Sequence, residues 1–500
     1  MSPRMNFAVI SNPDAVTNYV LKPSADEAEE QPPRPELPLA KDDSDESISS
    51  LFVSQFGHRH RYVSDGKYWL TWNERMWSAV SQAQSIHDDL RLMLAQLAKQ
   101  RIATPDKIVD LILGRLSNIN QINNIIRHLQ HRSELITYQH LIDANPQVVV
   151  FENCAFDTEK GAIMRHESEI MPLLQTKSMP VWYSEKATCP SWEAFLNTIF
   201  CHDAELISFV QMAAALSLSG TVAEEYLFFA YGSGRNGKTT FFTVLEKMFG
   251  EYHKTVDSSV LMSSKLDKSN SNMAAIAQLK GIRFATANEM EEKCSFSDKE
   301  VKLLSSRDKI VGRLLYSNPS EFTPSHKLWV RSNHKPTFNI DDAGLKRRIV
   351  LIPFRYAIPE KDQQERFEDF LLKEKSGILN WLMEGWLLYQ ENGLQIPAAC
   401  RDEMDIYLQE NDHLARFIDE CCLISCTDRT LLKDFSAAYA HWARQGGYQE
   451  FNSTKLSHQL RTKSFSVTNG TGNRTTIIGL KLATDAVFSD EQVTPSDAES

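Results

Sequence analysis

Gly232-Ser233-Gly234-Arg235-Asn236-Gly237-Lys238-Thr239 decides the reading of this chain. It fits G-x-x-x-x-G-K-[ST] without departure, after the apolar run Tyr226–Tyr231 and before a helical pattern over Thr240–Phe249. Glycines let a backbone wrap phosphate oxygens and aim its N–H groups at them. The helix that follows places the positive end of its dipole at the same point. Gly232 to Thr240 are therefore the expected nucleotide-binding residues. Lys238 is expected to neutralise the β- and γ-phosphates of ATP, and Thr239 to ligate Mg²⁺. The alternative, a glycine turn with an exposed lysine, does not explain the flanks.

Working outward, residues 191–395 alternate strands and helices, the pattern of a parallel α/β sheet. The expected strands are Tyr226–Tyr231, Ile282–Asn288, Lys327–Asn333 and Arg348–Phe354. Their bunched apolar residues suit strands covered on both faces. A long helical stretch, Asp362–Asn392, is expected to break near Lys375–Gly377. Asn288-Glu289 ends the second strand, so Glu289 is the candidate general base or water-orienting group, with Asn288 as a weaker metal contact. Asn333 ends the third and is placed to meet the γ-phosphate or the attacking water. Arg347 and Arg348 precede the fourth and suggest an arginine finger donated to a neighbouring subunit.

Residues 51–190 read as a mixed α/β unit. Tyr68, Trp69, Trp72 and Trp77 flank the turn-like Asn73–Glu74, helical periodicity runs through Leu90–Ala98 and Ile108–Ile125, and Val148–Phe151 reads as a buried strand. The aromatic residues are read as core, with base stacking as the alternative. Residues 396–484 hold the last unit. Helices are expected near His413–Leu423 and Leu431–Arg444, and a third from a Ser453/Thr454 cap. Two β segments, Ser464–Thr468 and Thr475–Leu482, flank a Gly/Asn turn at 469–473. That is the pattern of a winged helix, with Lys455, Arg461 and Arg474 as candidate duplex-DNA contacts.

The net charge of −11 lies in the tails. Residues 1–50 carry ten acids and four bases, and residues 485–500 carry five acids and no base, so the body between is close to neutral. Both tails are expected to be disordered. Any basic nucleic-acid surface must then be local. The eight cysteines have no zinc spacing, and Cys421, Cys422 and Cys426 read as thiols on a helix. With no apolar run near 18 residues and no signal-peptide pattern, the expectation is a soluble cytoplasmic protein with no membrane partner.

Taken in order, these elements resemble the superfamily-three DNA helicases, in particular the phage/plasmid and poxvirus primase–helicase branch. The resemblance covers residues 60–482 and rests on the Gly-Arg-Asn-Gly-Lys-Thr loop, Asn288-Glu289, Lys302…Asp308…Arg313, Ser332–Pro336, Asp342…Arg347-Arg348 and the upstream Phe151–Asp157 element, which has Cys154 where glycine is usual. It implies an AAA+-like P-loop ATPase core, a homohexameric ring and ATP-driven translocation on single-stranded DNA. It further implies replication of a phage or mobile element, and a place for Lys302, Lys309 and Arg313 on or near the strand-contacting pore element. No strand-borne Asp-x-Asp or Asp-x-Glu pair is present for a polymerising primase, so a separate primase or replication protein is an expected partner. The rival readings are an origin-binding initiator with little unwinding, and a DNA-packaging or protein-remodelling ATPase.

Overall fold

The computed structural model describes residues 40–80, 83–103, 105–263, 269–288, 295–313, 319–335, 337–340, 342–448, 450–469 and 474–483. The chain divides into two compact units, Met1–Arg401 and Asp402–Ser500.

The first unit opens with the helix Asp45–Phe56, N-capped by the Ser44 side chain. This helix lies partly inside the stretch expected to be disordered. Ile48, Leu51, Phe52 and Phe56 fall on one stripe, and burying that stripe outweighs the acidic composition around it. It packs with Ile86, Leu90, Ile112, Ile125 and Leu129 of the next helices. The periodicity read as one helix over 108–125 is two, Lys107–Arg115 and Ile119–Leu129, because Asn118 caps the second.

Four strands, β1 (His60–Val63), β2 (Tyr68–Trp72), β3 (Trp77–Val80) and β4 (Ile136–Thr137), form a sheet in the order β3-β2-β1-β4. The β2–β3 hairpin sets Trp72 opposite Trp77. Trp69, Trp72 and Trp77 are all buried, so they are core and offer no stacking face. A second, antiparallel sheet follows: β5 (Val148–Val150), β6 (Ala155–Asp157) and β7 (Ala162–Met164).

The central sheet has β8 (Leu227–Tyr231), β9 (His253–Val256), β10 (Phe284–Asn288), β13 (Lys327–Ser332) and β14 (Ile349–Pro353) in the order β14-β8-β13-β10-β9, every pair parallel. A hairpin of β11 (Ile310–Gly312) and β12 (Ser320–Phe322) lies between β10 and β13 in the chain. The edge strand β9 was not anticipated. Its residues, His-Lys-Thr-Val, are polar because one side faces solvent. The helix Lys238–Phe249 packs on the sheet through Phe241 and Phe242, beside Trp329 and Phe228 stacked at 4.6 Å.

One core runs unbroken across position 190: Val149, Phe151 and Phe156 share it with Trp192, Phe195, Phe241 and Trp381. Two buried cations tie the same region to the starts of β10 and β13. Arg283 donates to the carbonyls of Leu218 and Val148, and Lys327 to those of Ser219 and Ser325. Burial without a counter-charge pushes Lys327 well below the usual lysine range.

The break in the long helical stretch comes three residues earlier than expected, as a 3-10 turn at Leu372–Glu374 between the helices Phe367–Leu371 and Lys375–Asn392. The Glu374 carboxylate accepts from the N–H groups of Ser191 and Trp192 at the start of the helix Pro190–Ile199, which fixes the turn.

In the second unit, helices His413–Cys421, Leu432–Gly446 and Ser453–Thr462 enclose a core of Leu414, Phe417, Phe435, Tyr439, Leu456 and Leu460. The third helix is capped by Asn452, one residue before the expected serine, through its side-chain oxygen and the Lys455 N–H. β16 (Ser466–Asn469) and β17 (Thr475–Leu482) are joined by an unanticipated strand, β15 (Cys422–Leu431), in the antiparallel order β15-β17-β16. Cys422 and Cys426 therefore sit on a strand, and only Cys421 on a helix. A mostly exposed strand has no apolar alternation to reveal it. Turn residues Gly470–Asn473 lie outside the described residues.

Candidate functional site

β8 is buried along most of its length and delivers the chain to Gly232 at the carboxyl end of the sheet. The chain runs from β8 to the far edge at β9, returns through β10 and β13, then passes to β14 on the other side of β8. Such a reversal of strand order leaves a crevice outside the carboxyl ends of the strands, where α/β sheets bind ligands.

Two glycines make the loop possible. A Cβ on Gly232 would lie 2.2 Å from the Asn236 side chain and 2.4 Å from the Phe354 carbonyl oxygen. Gly237 has φ +80°, and a Cβ there would meet Ile199 at 2.6 Å. Gly237 is the N-cap of the helix Lys238–Phe249, so the first-turn N–H groups face the cavity without side-chain caps. Ser233, Arg235 and Thr239 are exposed, and Thr240 is half-buried.

Lys238 is buried, and its Nζ donates to the Gly232 carbonyl at 2.8 Å and to Asn236 Oδ1 at 3.0 Å. Asn236 in turn donates from Nδ2 to the Phe354 carbonyl at 3.0 Å, which fixes its oxygen toward the lysine. Lys238 forms no ion pair among the described residues. Burial brings its ammonium down to about 8. An anion entering the cavity would supply the charge the protein withholds.

That cavity, about 810 Å³, is lined by the loop from Gly234 to Thr240 and by Asn333. The rest of its lining is largely apolar: Phe195 and Ile199 from upstream, Tyr356, Ile358 and Phe367 from downstream. Sequence reading missed this apolar part. Its residues lie roughly 40 positions before the loop and 120 after it, and no local pattern links them.

Thr239 and Asn288 both carry the oxygen donors that a hard cation takes. Thr239 lines the cavity, whereas Asn288 ends β10 outside its lining, with Oδ1 buried and without a hydrogen-bond partner among the described residues. Glu289 lies outside the described residues, as do Asp341 and Cys294. No group of three or more metal-ligating side chains is found among the described residues.

The remaining candidates stand elsewhere. Arg347 and Arg348 precede β14, whose first residue pairs with Leu227 at the start of β8 and whose last pairs with Tyr231 beside the loop. About 15 Å of strand separates them from the glycine loop. The two differ from each other. Arg348 is buried, pairs with Glu225 at 2.8 Å and donates to the Gly344 carbonyl, whereas Arg347 is exposed. Lys302 pairs with Asp342, and Lys309 with Glu321 at 3.2 Å. Arg313 follows β11 and its N–H bonds the Met273 carbonyl. Of the three, Lys309 and Arg313 flank β11 of the hairpin, and Lys302 lies on the helix Asp298–Leu304 before it. In the second unit Arg461 and Arg474 are exposed, while Lys455 lies over the Phe451 ring at 4.0 Å. Lys463 is paired with Asp412.

Residues 49–201 match a family described as "D5 N terminal like", and residues 230–348 match a "family of unknown function (DUF5906)". The "Putative helicase L207/L206" of Acanthamoeba polyphaga mimivirus is 25% identical over 327 residues, 62% of this chain and 34% of the relative. The "Putative helicase 121R" of Invertebrate iridescent virus 3 is 24% identical over 361 residues, 65% of this chain and 38% of the relative. The chain thus spans about a third of the length of these curated relatives. Among solved structures, the apo NrS-1 C-terminal region aligns with 84% of this chain and 96% of its own, at 11% identity and a TM-score of 0.45. No single helix among the described residues is long and apolar enough to cross a membrane. The sequence matches show similarity to the D5 N-terminal family over residues 49–201 and to viral putative helicases over about two thirds of the chain.

Proposed function

We propose that this chain, as a D5-like relative of the viral helicases, is an ATP-driven DNA helicase of the superfamily-three type that moves single-stranded DNA through a homohexameric ring. The observation that carries the reading is Lys238: a buried ammonium without a counter-ion, at a helix N-terminus, in a cavity large enough for a nucleotide.

In this reading the AAA+-like P-loop core is residues 191–395. The loop N–H groups and Lys238 hold the β- and γ-phosphates. The apolar wall around Phe195, Tyr356 and Phe367 excludes water from the base side. Thr239, Asn288 and Glu289 would hold Mg²⁺, which would supply charge neutralisation for the phosphates when bound. Glu289 orients a water and takes its proton as the water oxygen attacks the γ-phosphorus and the bridging bond to ADP breaks. Asn333 positions that water or the γ-phosphate. Arg347 serves the next subunit's site, since its own phosphate end is a strand length away. Lys302, Lys309 and Arg313 meet the translocating strand. Residues 396–484 form a winged helix that holds duplex DNA through Lys455, Arg461 and Arg474.

The decisive experiment measures nucleotide binding, ATP turnover and unwinding of a forked duplex. The reading requires all three in the natural chain and none in Lys238→Ala. Turnover without unwinding on any fork would leave an ATPase of another kind.

A further inference from the structure

A second cleft, about 830 Å³ and so as large as the nucleotide cavity, opens at the opposite end of the central sheet. It lies between the N-terminal sheet, through Tyr68 and Leu70, and the segments that lead into β8, β10 and β13. Three of its lining residues are cations. Lys177 is compensated by Asp143 at 3.1 Å. Lys280 is exposed, and Arg307 is exposed and touches the Ala223 carbonyl. Neither forms an ion pair among the described residues. In a body of near-zero net charge, two uncompensated cations in one cleft are a local anion site.

The rim adds an aromatic surface. His140 lines the cleft and is stacked with Tyr138, centroids 5.9 Å apart at 22°. Tyr138 is 47% exposed, unlike the buried tryptophans of the same sheet. The cleft also runs onto the β11–β12 hairpin, since Glu321 and Phe322 of β12 line it. Cations without an ion pair among the described residues, beside an exposed aromatic stack, suit a polymer that alternates phosphates with unpaired planar bases. A duplex hides its base faces and gains nothing from the stack.

We infer that this cleft is a second contact for single-stranded DNA, with phosphates on Lys280 and Arg307 and a base on the Tyr138–His140 stack. This rests on the translocation reading and extends the strand's path from the hairpin onto the N-terminal module.

The test uses the full chain and a fluorescent 20-nucleotide oligodeoxythymidylate, with anisotropy measured over a range of KCl. Lys280→Glu and Arg307→Gln are each expected to weaken binding and to reduce the salt slope by about 0.7, the single-strand value for one phosphate contact. Tyr138→Ala is expected to weaken binding about tenfold with the slope retained. All three variants keep the natural affinity for nucleotide at the glycine loop. If the natural chain binds the oligomer and all three variants bind it equally well with equal slopes, the cleft is not a strand contact, while translocation through the hairpin stands. If the natural chain binds nucleotide but no oligomer, the translocation reading falls and this inference falls with it.

Discussion

Lys238 gives the sharpest expectations at the scale of single residues. Its ammonium titrates near 8 in the empty site, and bound phosphates favour the charged form. ATP affinity should therefore be flat below pH 8 and weaken about tenfold per unit above it, because binding must then take up a proton. Isothermal titration in two buffers of different ionisation enthalpy measures that proton directly; an affinity independent of pH between 7 and 9.5 contradicts the assignment. Glu289→Gln should bind ATP as the natural chain does while turnover is lost, since it leaves the binding groups intact. Gly237→Ala combines a positive φ with a 2.6 Å approach to Ile199 and should cost on the order of 1–3 kcal/mol, read as a shifted urea midpoint. The loop stood out in sequence because its residues are contiguous: eight in a row carry the proposed phosphate site. Arg347 and Arg348 were indistinguishable in sequence, because adjacent arginines differ only in which one faces Glu225.

At the scale of elements, the segment before β14 separates two kinds of arginine. Arg347→Ala should inactivate the ring yet regain some turnover when mixed with inactive Lys238→Ala chains, because some interfaces then pair an intact loop with an intact finger. Arg348→Ala leaves Glu225 half-buried without its partner, so it should lower stability and gain nothing from mixing. Turnover assays on mixed rings distinguish the two. The helix Ser453–Thr462 carries a separate expectation. Neutralising Lys455, Arg461 and Arg474 together should flatten the salt dependence of duplex binding by about 0.9 per lost contact and leave DNA-free turnover unchanged. Unaltered duplex affinity in that triple variant would make the second unit a protein-docking module. Four central strands were legible from their bunched apolar runs, whereas β9 and β15 were not. Both are largely exposed and neither alternates apolar with polar residues, so the main pattern by which a strand shows in sequence is missing.

At the scale of the whole molecule, stability should depend on pH through Lys327. Its folded-state value lies well below the 10.5 of an unfolded lysine, so unfolding takes up a proton between those values and stability rises with pH across that interval. Lys327→Met removes this contribution. Urea midpoints at pH 7, 8 and 9 should climb more steeply for the natural chain than for the variant, and parallel slopes would place the titrating group elsewhere. The core that crosses position 190 was invisible in sequence, since the strand–helix alternation begins there while the packing runs through. It also bears on how the chain could have come apart or been put together. Val149, Phe151 and Phe156 close over Trp192 and Trp381, so excising everything before residue 191 would lay that aromatic seam open to water. A protease nicking the surface near 190 should leave two pieces that stay together until denatured. In inheritance, too, the segment from about 148 onward should travel with the central sheet whose core it shares.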